Sequence, residues 1–178
     1  MNQVFSETDI KLIPVDVLTV LGPGRKILEP VLSALDNQGK VKIQHHIIEG
    51  SGPLPGEGRI EAIARARNQA KFMGNAHYVV FLDDDVVLPP FGLEQLAYAL
   101  FFNHRYAAIG IDYQNVPVNP FWGVHVAMGA VMFLRPILEQ IYFRTEPNKC
   151  ECYCCCEDIR RMGYLIDYLS GVQAKHLK

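Results

Sequence analysis

Three features of the sequence predict an α/β protein with a mostly parallel central sheet between two layers of helices. Its 178 residues, 49% of them hydrophobic, suffice for one compact domain covering residues 1–178. Apolar runs rich in β-branched residues alternate with segments of helical periodicity, which is typical of β-α-β units. The run at 78–82, Y-V-V-F-L, is followed at once by Asp83, Asp84 and Asp85, as expected of a buried strand that ends where the acids begin.

The first half of the sequence predicts two parallel strands joined by a helix. In chain order we expect a strand at 15–21, a turn at 22–25, a helix through Leu28, Val31, Leu32 and Leu35 that stops at Gly39, and a strand at 41–48. A right-handed crossover brings both strand ends to the same edge of the sheet. Arg25 and Glu49 therefore approach the edge at which the three aspartates lie.

The remaining elements follow from the same periodicities. We expect a helix at 59–73, the strand at 78–82, a helix through Leu93, Leu96, Ala97 and Leu100, a strand at 106–111, helices at 136–143 and 150–162, and strands at 164–169 and 172–176. Residues 50–58 contain four glycines and two prolines, which predicts a loop. Its composition suits a mobile flap over a site as well as a plain connection.

The three consecutive aspartates are the first candidate site. Alternation along an extended backbone places Asp83 and Asp85 on one side and Asp84 on the other. Ligands of open α/β sheets bind at the C-terminal ends of the strands. Adjacent carboxylates repel each other unless a cation lies between them, and a hard divalent ion takes oxygen ligands together with phosphate. We therefore predict a Mg²⁺ or Mn²⁺ site that carries a diphosphate, the alternative being a solvated acidic turn.

Arg67 is the second candidate, because it falls on the apolar stripe of the helix at 59–73 that Ile60, Ile63 and Ala70 define. A guanidinium on an inward face needs an anionic partner. The carboxylates after the next strand or a bound phosphate could supply it. Alternatively, the side chain extends along the helix to the surface.

The overall charge excludes some classes of partner. A net charge of −2 and a pI of about 6.3 give no electrostatic footprint for nucleic acid or an anionic membrane. No apolar run reaches membrane-spanning length, and the first residues lack the basic and apolar regions of a signal peptide. The sequence predicts a soluble cytoplasmic protein without a membrane span.

Two further groups of residues allow a functional and a structural interpretation. Trp122 and His125 could line a sugar-sized pocket, or the tryptophan could be part of the core. All five cysteines lie between Cys150 and Cys156. They could form a soft-metal or redox site, since thiolates near a helix N-terminus react readily, although the spacing differs from that of zinc ligand pairs. Burial in the core is the simpler interpretation, because free cysteine is among the most often buried residue types.

The segments A-R-A-R-N-Q-A (64–70) and F-L-D-D-D-V (81–86) are similar to the Arg-Asn helix and the Leu-Asp-x-Asp strand end of family 2 glycosyltransferases of the GT-A type. The spacing between the two segments is also similar. The resemblance extends over most of the chain, through L-E-P-V-L-S-A-L-D-N-Q (28–38), I-I-E-G-S (47–51), M-G-A-V-M-F-L-R (128–135) and A-K-H (174–176).

The resemblance implies the GT-A fold, a UDP- or GDP-sugar donor and a Mn²⁺ or Mg²⁺ cofactor. The implied donor-binding residues are Glu49, which would contact the nucleotide base, Arg67, Asp83 and Asp84. The implied metal ligands are Asp85 and His176. The acceptor side would contain Trp122, His125 and Gly129.

Glycosyl transfer also needs a carboxylate that deprotonates the acceptor hydroxyl. In the family, a Glu-Asp pair opens a long helix that ends at a glycine. Glu157-Asp158 supplies the dipeptide here but lies close to Gly163, whereas Glu151 lies at the expected distance and is followed by Cys152. We predict Glu151 as the general base and Asp158 as the alternative, with inversion at the anomeric carbon as the expected outcome.

Other functions remain open at this point. They are a non-catalytic relative that binds a nucleotide or sugar, a metal-binding protein organised by its cysteines, and a nucleotidyltransferase, which is disfavoured because the Gly-rich, Lys-containing first loop is missing. The sequence does not identify the acceptor. Part of its site could come from the loops at 50–58 and 113–123, or from a partner subunit of a homo-oligomer.

Overall fold

The computed structural model describes residues 12–114 and 125–177. Its elements are β1 (Ile13–Leu21), α1 (Glu29–Leu35), β2 (Val41–Glu49), α2 (Arg59–Ala70), β3 (Tyr78–Leu82), β4 (Val86–Val87), α3 (Gly92–Phe102), β5 (Tyr106–Tyr113), β6 (Ala130–Leu134), α4 (Arg135–Leu138), α5 (Glu151–Arg161) and β7 (Leu165–His176). The predicted α/β alternation is confirmed. Among the described helices, none combines the length and apolar character needed to cross a membrane.

The strands form a single mixed sheet in the order β2-β1-β3-β6-β5-β7-β4. β1 runs parallel to β2 and β3, and β5 runs parallel to β7. β6 is antiparallel to both of its neighbours, and β4 is antiparallel to β7. The parallel character that the sequence predicts therefore holds for β2-β1-β3 and for β5-β7. The reversed strands β6 and β4, which the sequence did not reveal, make the sheet mixed.

Helices cover both faces of the sheet. Alternate side chains of the central strands enter two separate cores, as the pleat of a strand requires. Leu18 and Phe81 lie in the core under α2, α4 and α5, and Val17, Val80 and Met132 lie in the core under α1 and α3. The protein is thus a three-layer sandwich, which explains why β1 and β3 are apolar on both faces.

Asp16 is a fully buried charge in the middle of β1. It accepts hydrogen bonds from His46 Nε2 at 2.9 Å, Arg135 Nη2 at 2.7 Å and the Ala76 backbone N–H at 2.7 Å. These bonds compensate the carboxylate for its loss of hydration. They also tie β2, the segment before β3 and the start of α4 to the central strand.

The predicted helix at 136–143 is shorter in the structure, where α4 ends at Leu138. The following backbone bonds to side chains of the neighbouring α2 segment instead of continuing the helix. Lys71 donates to the carbonyl oxygens of Glu139 and Ile141, and Asn68 bonds to both the backbone N–H and the carbonyl of Phe143.

The two strands predicted at 164–169 and 172–176 are one strand, β7. Gly171, with φ of +76°, adopts a left-handed conformation that glycine tolerates without strain, so the chain passes an irregularity without leaving the sheet. The last residues of β7 pair with β4, which places His176 opposite Val86. This pairing brings the C-terminal histidine next to the three aspartates.

Candidate active site

A cavity of about 820 Å³ opens at the C-terminal edge of the parallel strands. Its walls come from the loops after β1 and β2, from α2, from the acids after β3, and from the ends of β5, α5 and β7 that face this edge. The sequence-predicted residues that line it are Arg67, Asp83, Asp84, Asp85, Gly129, Glu151 and His176. Residues from eight segments of the chain, including the segment at 127–129 before β6, therefore meet at one site.

Three predicted residues lie away from the cavity wall, and a fourth is not among the described residues. Glu49 is exposed at the end of β2, opposite Leu21, and does not line the cavity. Asp158 lies two turns further along α5, where it pairs with Arg144. His125 is half-buried, with its ring 6.2 Å from that of Tyr153, and is not among the lining residues. Trp122 lies outside the described residues.

Arg67 joins the acid after β3 to the acid that opens α5. Its Nη2 lies 3.1 Å from Asp83 Oδ1, and its Nη1 lies 2.6 Å from Glu151 Oε1. The residue is 4% exposed, so the prediction that it faces inward and binds an anion is confirmed by its position, and the surface alternative is wrong. Its guanidinium carbon also lies 5.6 Å from the centre of the Phe81 ring, a distance at which a cation–π contact is favourable.

The electrostatics keep Arg67 charged. Burial alone would lower the pKa of Arg67, but the negative charges of Asp83 and Glu151 raise it above its ordinary value. Its Nε is the one buried side-chain nitrogen or oxygen among the described residues without a hydrogen-bond partner. The guanidinium therefore binds two carboxylates at once, and its Nε–H remains available as a hydrogen-bond donor.

Arg25 binds the carboxylates of the other two aspartates, Asp84 and Asp85. Its Nε donates to Asp84 Oδ2 at 2.6 Å, and its Nη2 donates to Asp85 Oδ2 at 3.2 Å. Burial raises the pKa of Asp84, and the charge of Arg25 offsets part of that rise. Since the Arg25 side chain is 43% exposed and follows the turn at 22–24, it can leave the carboxylates when another cation arrives.

Asp85 and His176 form a pair of potential metal ligands. His176 Nε2 lies 3.2 Å from Asp85 Oδ1, and the Leu177 backbone N–H donates to the Asp85 carbonyl at 2.8 Å. The histidine ring is stacked on Tyr113 at 5.5 Å, which fixes its orientation. Carboxylate oxygen suits Mg²⁺ and Mn²⁺, and an imidazole favours a transition ion, so this donor set fits Mn²⁺ better than Mg²⁺.

Gly129 makes the close approach between the segment before β6 and Asp83 possible. The Asp83 backbone N–H donates to the Gly129 carbonyl at 2.9 Å. A Cβ at position 129 would lie 2.3 Å from the Tyr113 hydroxyl and 2.5 Å from Asp83 Oδ2. The missing side chain therefore leaves room for the Asp83 carboxylate. The hydroxyl beside it belongs to a residue that sequence reasoning missed, and burial raises the pKa of Tyr113.

The five cysteines separate into two groups. Cys154, Cys155 and Cys156 are fully buried, in agreement with the core interpretation. Cys150 and Cys152 are half-buried, and Cys152 lines the cavity, with its Sγ 3.5 Å from Glu151 Oε1. A hydrogen bond from Cys152 lowers the pKa of Cys150 to about 6. The sequence-based prediction considered all five cysteines together, because their spacing along the chain does not show which thiols reach a cavity.

The loop at 50–58 is held in place by Arg65. This side chain donates to the Gly52 carbonyl at 2.6 Å, to Ser51 Oγ at 3.0 Å and to both carboxylate oxygens of Glu57. Glu57 in turn accepts from the Leu54 backbone N–H at 2.7 Å. These bonds favour a fixed wall of the cavity over the mobile flap.

Comparisons with known proteins identify the fold. No family model matches the sequence, and no curated protein matches it significantly. TarS 1–349 of S. aureus superposes with a TM-score of 0.65 at 14% identity, over 92% of this chain and 60% of that chain. The mannosyltransferase PcManGT from Pyrobaculum calidifontis, in complex with GDP-Man and Mn²⁺, gives 0.67 at 16%, over 91% and 56%. The chain has the GT-A fold.

Two more solved structures superpose on this chain. TarS 1–349 in complex with UDP-GlcNAc superposes with a TM-score of 0.59 at 14% identity, over 92% of this chain and 58% of that chain. A197 from STIV gives a TM-score of 0.55 at 14%, over 94% of this chain and 86% of that chain. This GT-A chain thus spans less than two thirds of the TarS and PcManGT chains but most of A197.

Proposed function

We propose that this protein is a glycosyltransferase that moves a sugar from a nucleotide-diphosphate donor to an acceptor hydroxyl with the help of Mn²⁺. The observation that carries the proposal is the convergence of Asp83, Asp85, His176, Arg67 and Glu151 on one cavity. The cavity has a volume of about 820 Å³, which lies in the range that suits a small-molecule ligand such as a nucleotide sugar. Structures of the same fold in complex with UDP-GlcNAc and GDP-Man support the donor class.

The donor would lie across the C-terminal ends of β1 and β3. Asp83 is the best candidate to bind its ribose, because its side chain is 42% exposed while Arg67 fixes one of its oxygens. Arg25 and Arg59 line the same cavity and can bind the phosphates. Glu49 could reach the nucleotide base only from the rim, because its side chain lies outside the cavity wall.

Asp85 and His176 would hold the divalent cation. Two protein ligands leave coordination positions for phosphate oxygens, as is usual for ions that bind nucleotides. When bound, such a cation neutralises charge on the departing diphosphate. Arg25 must release Asp85 for this to happen, and its guanidinium is then available to the phosphates.

Glu151 would act as the general base. Arg67 and Cys152 both bond to its Oε1, so that Oε2 takes part in neither contact and can accept the proton. The acceptor oxygen forms a bond to the anomeric carbon as its proton passes to Glu151. The bond from that carbon to the diphosphate breaks, and its electron pair leaves with the diphosphate. This displacement inverts the anomeric configuration.

A second candidate function is nucleotide-sugar binding without transfer. The observation in its favour is that Arg67 binds the Glu151 carboxylate in a buried ion pair, so that one oxygen of the proposed base is already engaged by a cation. Asp158, paired with Arg144 away from the cavity, is a weaker candidate for the base. Turnover of a donor separates the enzyme from the binder.

Thermal unfolding with UDP, GDP and their sugars, with and without Mn²⁺, tests the donor site. A ligand that binds only the folded protein raises its stability. We expect stabilisation that requires both nucleotide and metal in the wild type and in Asp36→Asn, an exposed acid outside the cavity, and that is lost in Asp85→Asn. No shift with any nucleotide, or the same shift in Asp85→Asn, would overturn the proposal. Release of free nucleotide from the stabilising donor then measures transfer or hydrolysis.

A further inference from the structure

We propose that Cys150, Glu151 and Cys152 form a second metal site, which takes a thiophilic divalent cation such as Zn²⁺. One ligand atom of each residue lies within 4.8 Å of the other two. Within 12–114 and 125–177, no other three histidine, cysteine or acidic side chains come together in this way. The site shares no residue with the Asp85–His176 pair and differs from it in chemistry.

The start of α5 explains the convergence. Cys150 is the N-cap residue, with extended backbone angles, and its side chain does not cap the helix. Glu151 and Cys152 follow as the first helical residues, and Cys152 Sγ already contacts Glu151 Oε1 at 3.5 Å. A tetrahedral zinc ion with bonds of roughly 2.0–2.3 Å holds its ligand atoms roughly 3.3–3.8 Å apart. Small side-chain movements therefore suffice to close the site.

A cation can reach these three residues and no other thiol of the cluster. Glu151 and Cys152 line the large cavity, and Cys150 is half-buried beside them. Cys154, Cys155 and Cys156 are fully buried in the core. Only the half-buried pair of thiols is thus available to a cation, which limits the site to one ion per chain.

Charge and ligand softness set the preference of the site. Each thiol releases its proton to solvent as its sulfur binds the metal, which leaves two thiolates and one carboxylate around a divalent ion. The remaining negative charge faces the buried Arg67, whose Nη1 lies 2.6 Å from Glu151 Oε1. Thiolates favour Zn²⁺ and Cd²⁺ over Mn²⁺, whereas the carboxylate and imidazole of the Asp85–His176 pair also suit Mn²⁺. The two sites therefore differ in the metals that they prefer.

Occupation of this site has a consequence that rests on the proposed function. A Glu151 carboxylate bound to Zn²⁺ no longer accepts the acceptor proton. Donor binding, which uses Asp83 and Asp85, is unaffected. Zn²⁺ would thus be a reversible inhibitor of transfer, relieved by a chelator.

Titration of the reduced protein with Cd²⁺, followed by the ultraviolet charge-transfer absorption of cadmium thiolates, tests the site directly. We expect one Cd²⁺ per chain in the wild type and in the control Cys154→Ala. In Cys150→Ser and Cys152→Ser the affinity should fall by at least ~10-fold, by analogy with losses at other metal sites. Circular dichroism checks that each variant is folded.

The outcomes separate this proposal from the proposed function. Absence of the absorption band in the wild type, or an unchanged band in folded Cys150→Ser and Cys152→Ser, overturns the metal site whether or not the protein transfers sugar. A cadmium band in a protein that turns over no donor supports the site and counts against the transferase. If transfer occurs, Zn²⁺ should inhibit the wild type and spare the Cys150→Ser/Cys152→Ser double variant.

Discussion

Arg67 Nη1 lies 2.6 Å from Glu151 Oε1, although the two residues are 84 positions apart in the sequence. The other end of the same guanidinium lies 3.1 Å from Asp83 Oδ1. One buried cation therefore fixes the acid proposed to bind the donor and the acid proposed to act as base. It also ties α2 and α5 to the end of β3.

Replacement of Arg67 by methionine should destabilise the fold by about 3–5 kcal/mol, because it leaves Glu151 as an uncompensated buried charge. Urea unfolding measures the loss. The double variant Arg67→Met/Glu151→Met should recover much of it, since a buried ion pair can be replaced by apolar side chains at little cost. Equal stability of the single and double variants would contradict this account of the pair.

Glu151→Gln should reduce transfer by about 100-fold or more, the usual contribution of a positioned general base. Donor binding in the presence of Mn²⁺ should remain, because the amide still accepts a hydrogen bond from Arg67. The assay is release of free nucleotide in the presence of acceptor. Asp158→Asn is the control and should keep its activity; a loss of transfer there with Glu151→Gln unaffected would reverse the assignment.

Arg25→Met should strengthen the binding of Mn²⁺ to the nucleotide-free protein by a few-fold. Arg25 competes for Asp84 and Asp85, and a partly exposed ion pair contributes about 0.2–1 kcal/mol. Paramagnetic resonance of free Mn²⁺ gives the affinity directly. Arg25→Lys, which keeps the charge, should stay close to the wild type. Weaker Mn²⁺ binding in Arg25→Met would show that the guanidinium assists the metal.

Gly129→Ala should weaken donor binding more than it weakens the fold. The new methyl group would meet the Tyr113 hydroxyl and the Asp83 carboxylate, which are both ends of side chains that can move. Asp83 would then leave the position that Arg67 now fixes. Nucleotide titration and thermal unfolding of the same variant separate the two effects, and Ala127→Gly on the same segment is a suitable control. Unchanged nucleotide affinity would mean that Asp83 makes no contact with the donor.

Cys150 should be the most rapidly alkylated cysteine at neutral pH. Its pKa is about 6 rather than the ordinary 9.0, because of the hydrogen bond with Cys152, and the thiolate is the reactive form. The alkylation rate should therefore rise as pH increases through about 6 and level off above it. Since the folded pKa lies below the unfolded value, the thiolate stabilises the fold fully above about pH 9.0, and that contribution is lost as pH falls towards 6. Mass spectrometry identifies the labelled residue, and a rate that rises only near pH 9 would refute the shift.

Much of this protein could be predicted from local pattern. The strand at 78–82 and the acids that follow it were recognisable because a buried strand is a continuous run of apolar residues, and the charged residues show where it ends. The inward position of Arg67 followed from helical periodicity. The GT-A fold followed from the Arg-Asn and Leu-Asp-x-Asp segments, and the solved structures of the same fold bear it out.

Pairing between distant segments was decided only by the tertiary structure. Periodicity indicates that Arg67 needs an anion but not that Asp83 and Glu151 supply it, and it gives no signal for the two-residue strand β4 that positions His176. Helix α4 ends at Leu138, and the backbone that follows it bonds to Lys71 and Asn68, which belong to another part of the chain. The sequence by itself determined which residues are buried and which are charged, because both properties follow from the residue type and the local periodicity. Which of them meet depends on packing that brings residues far apart in the chain into contact.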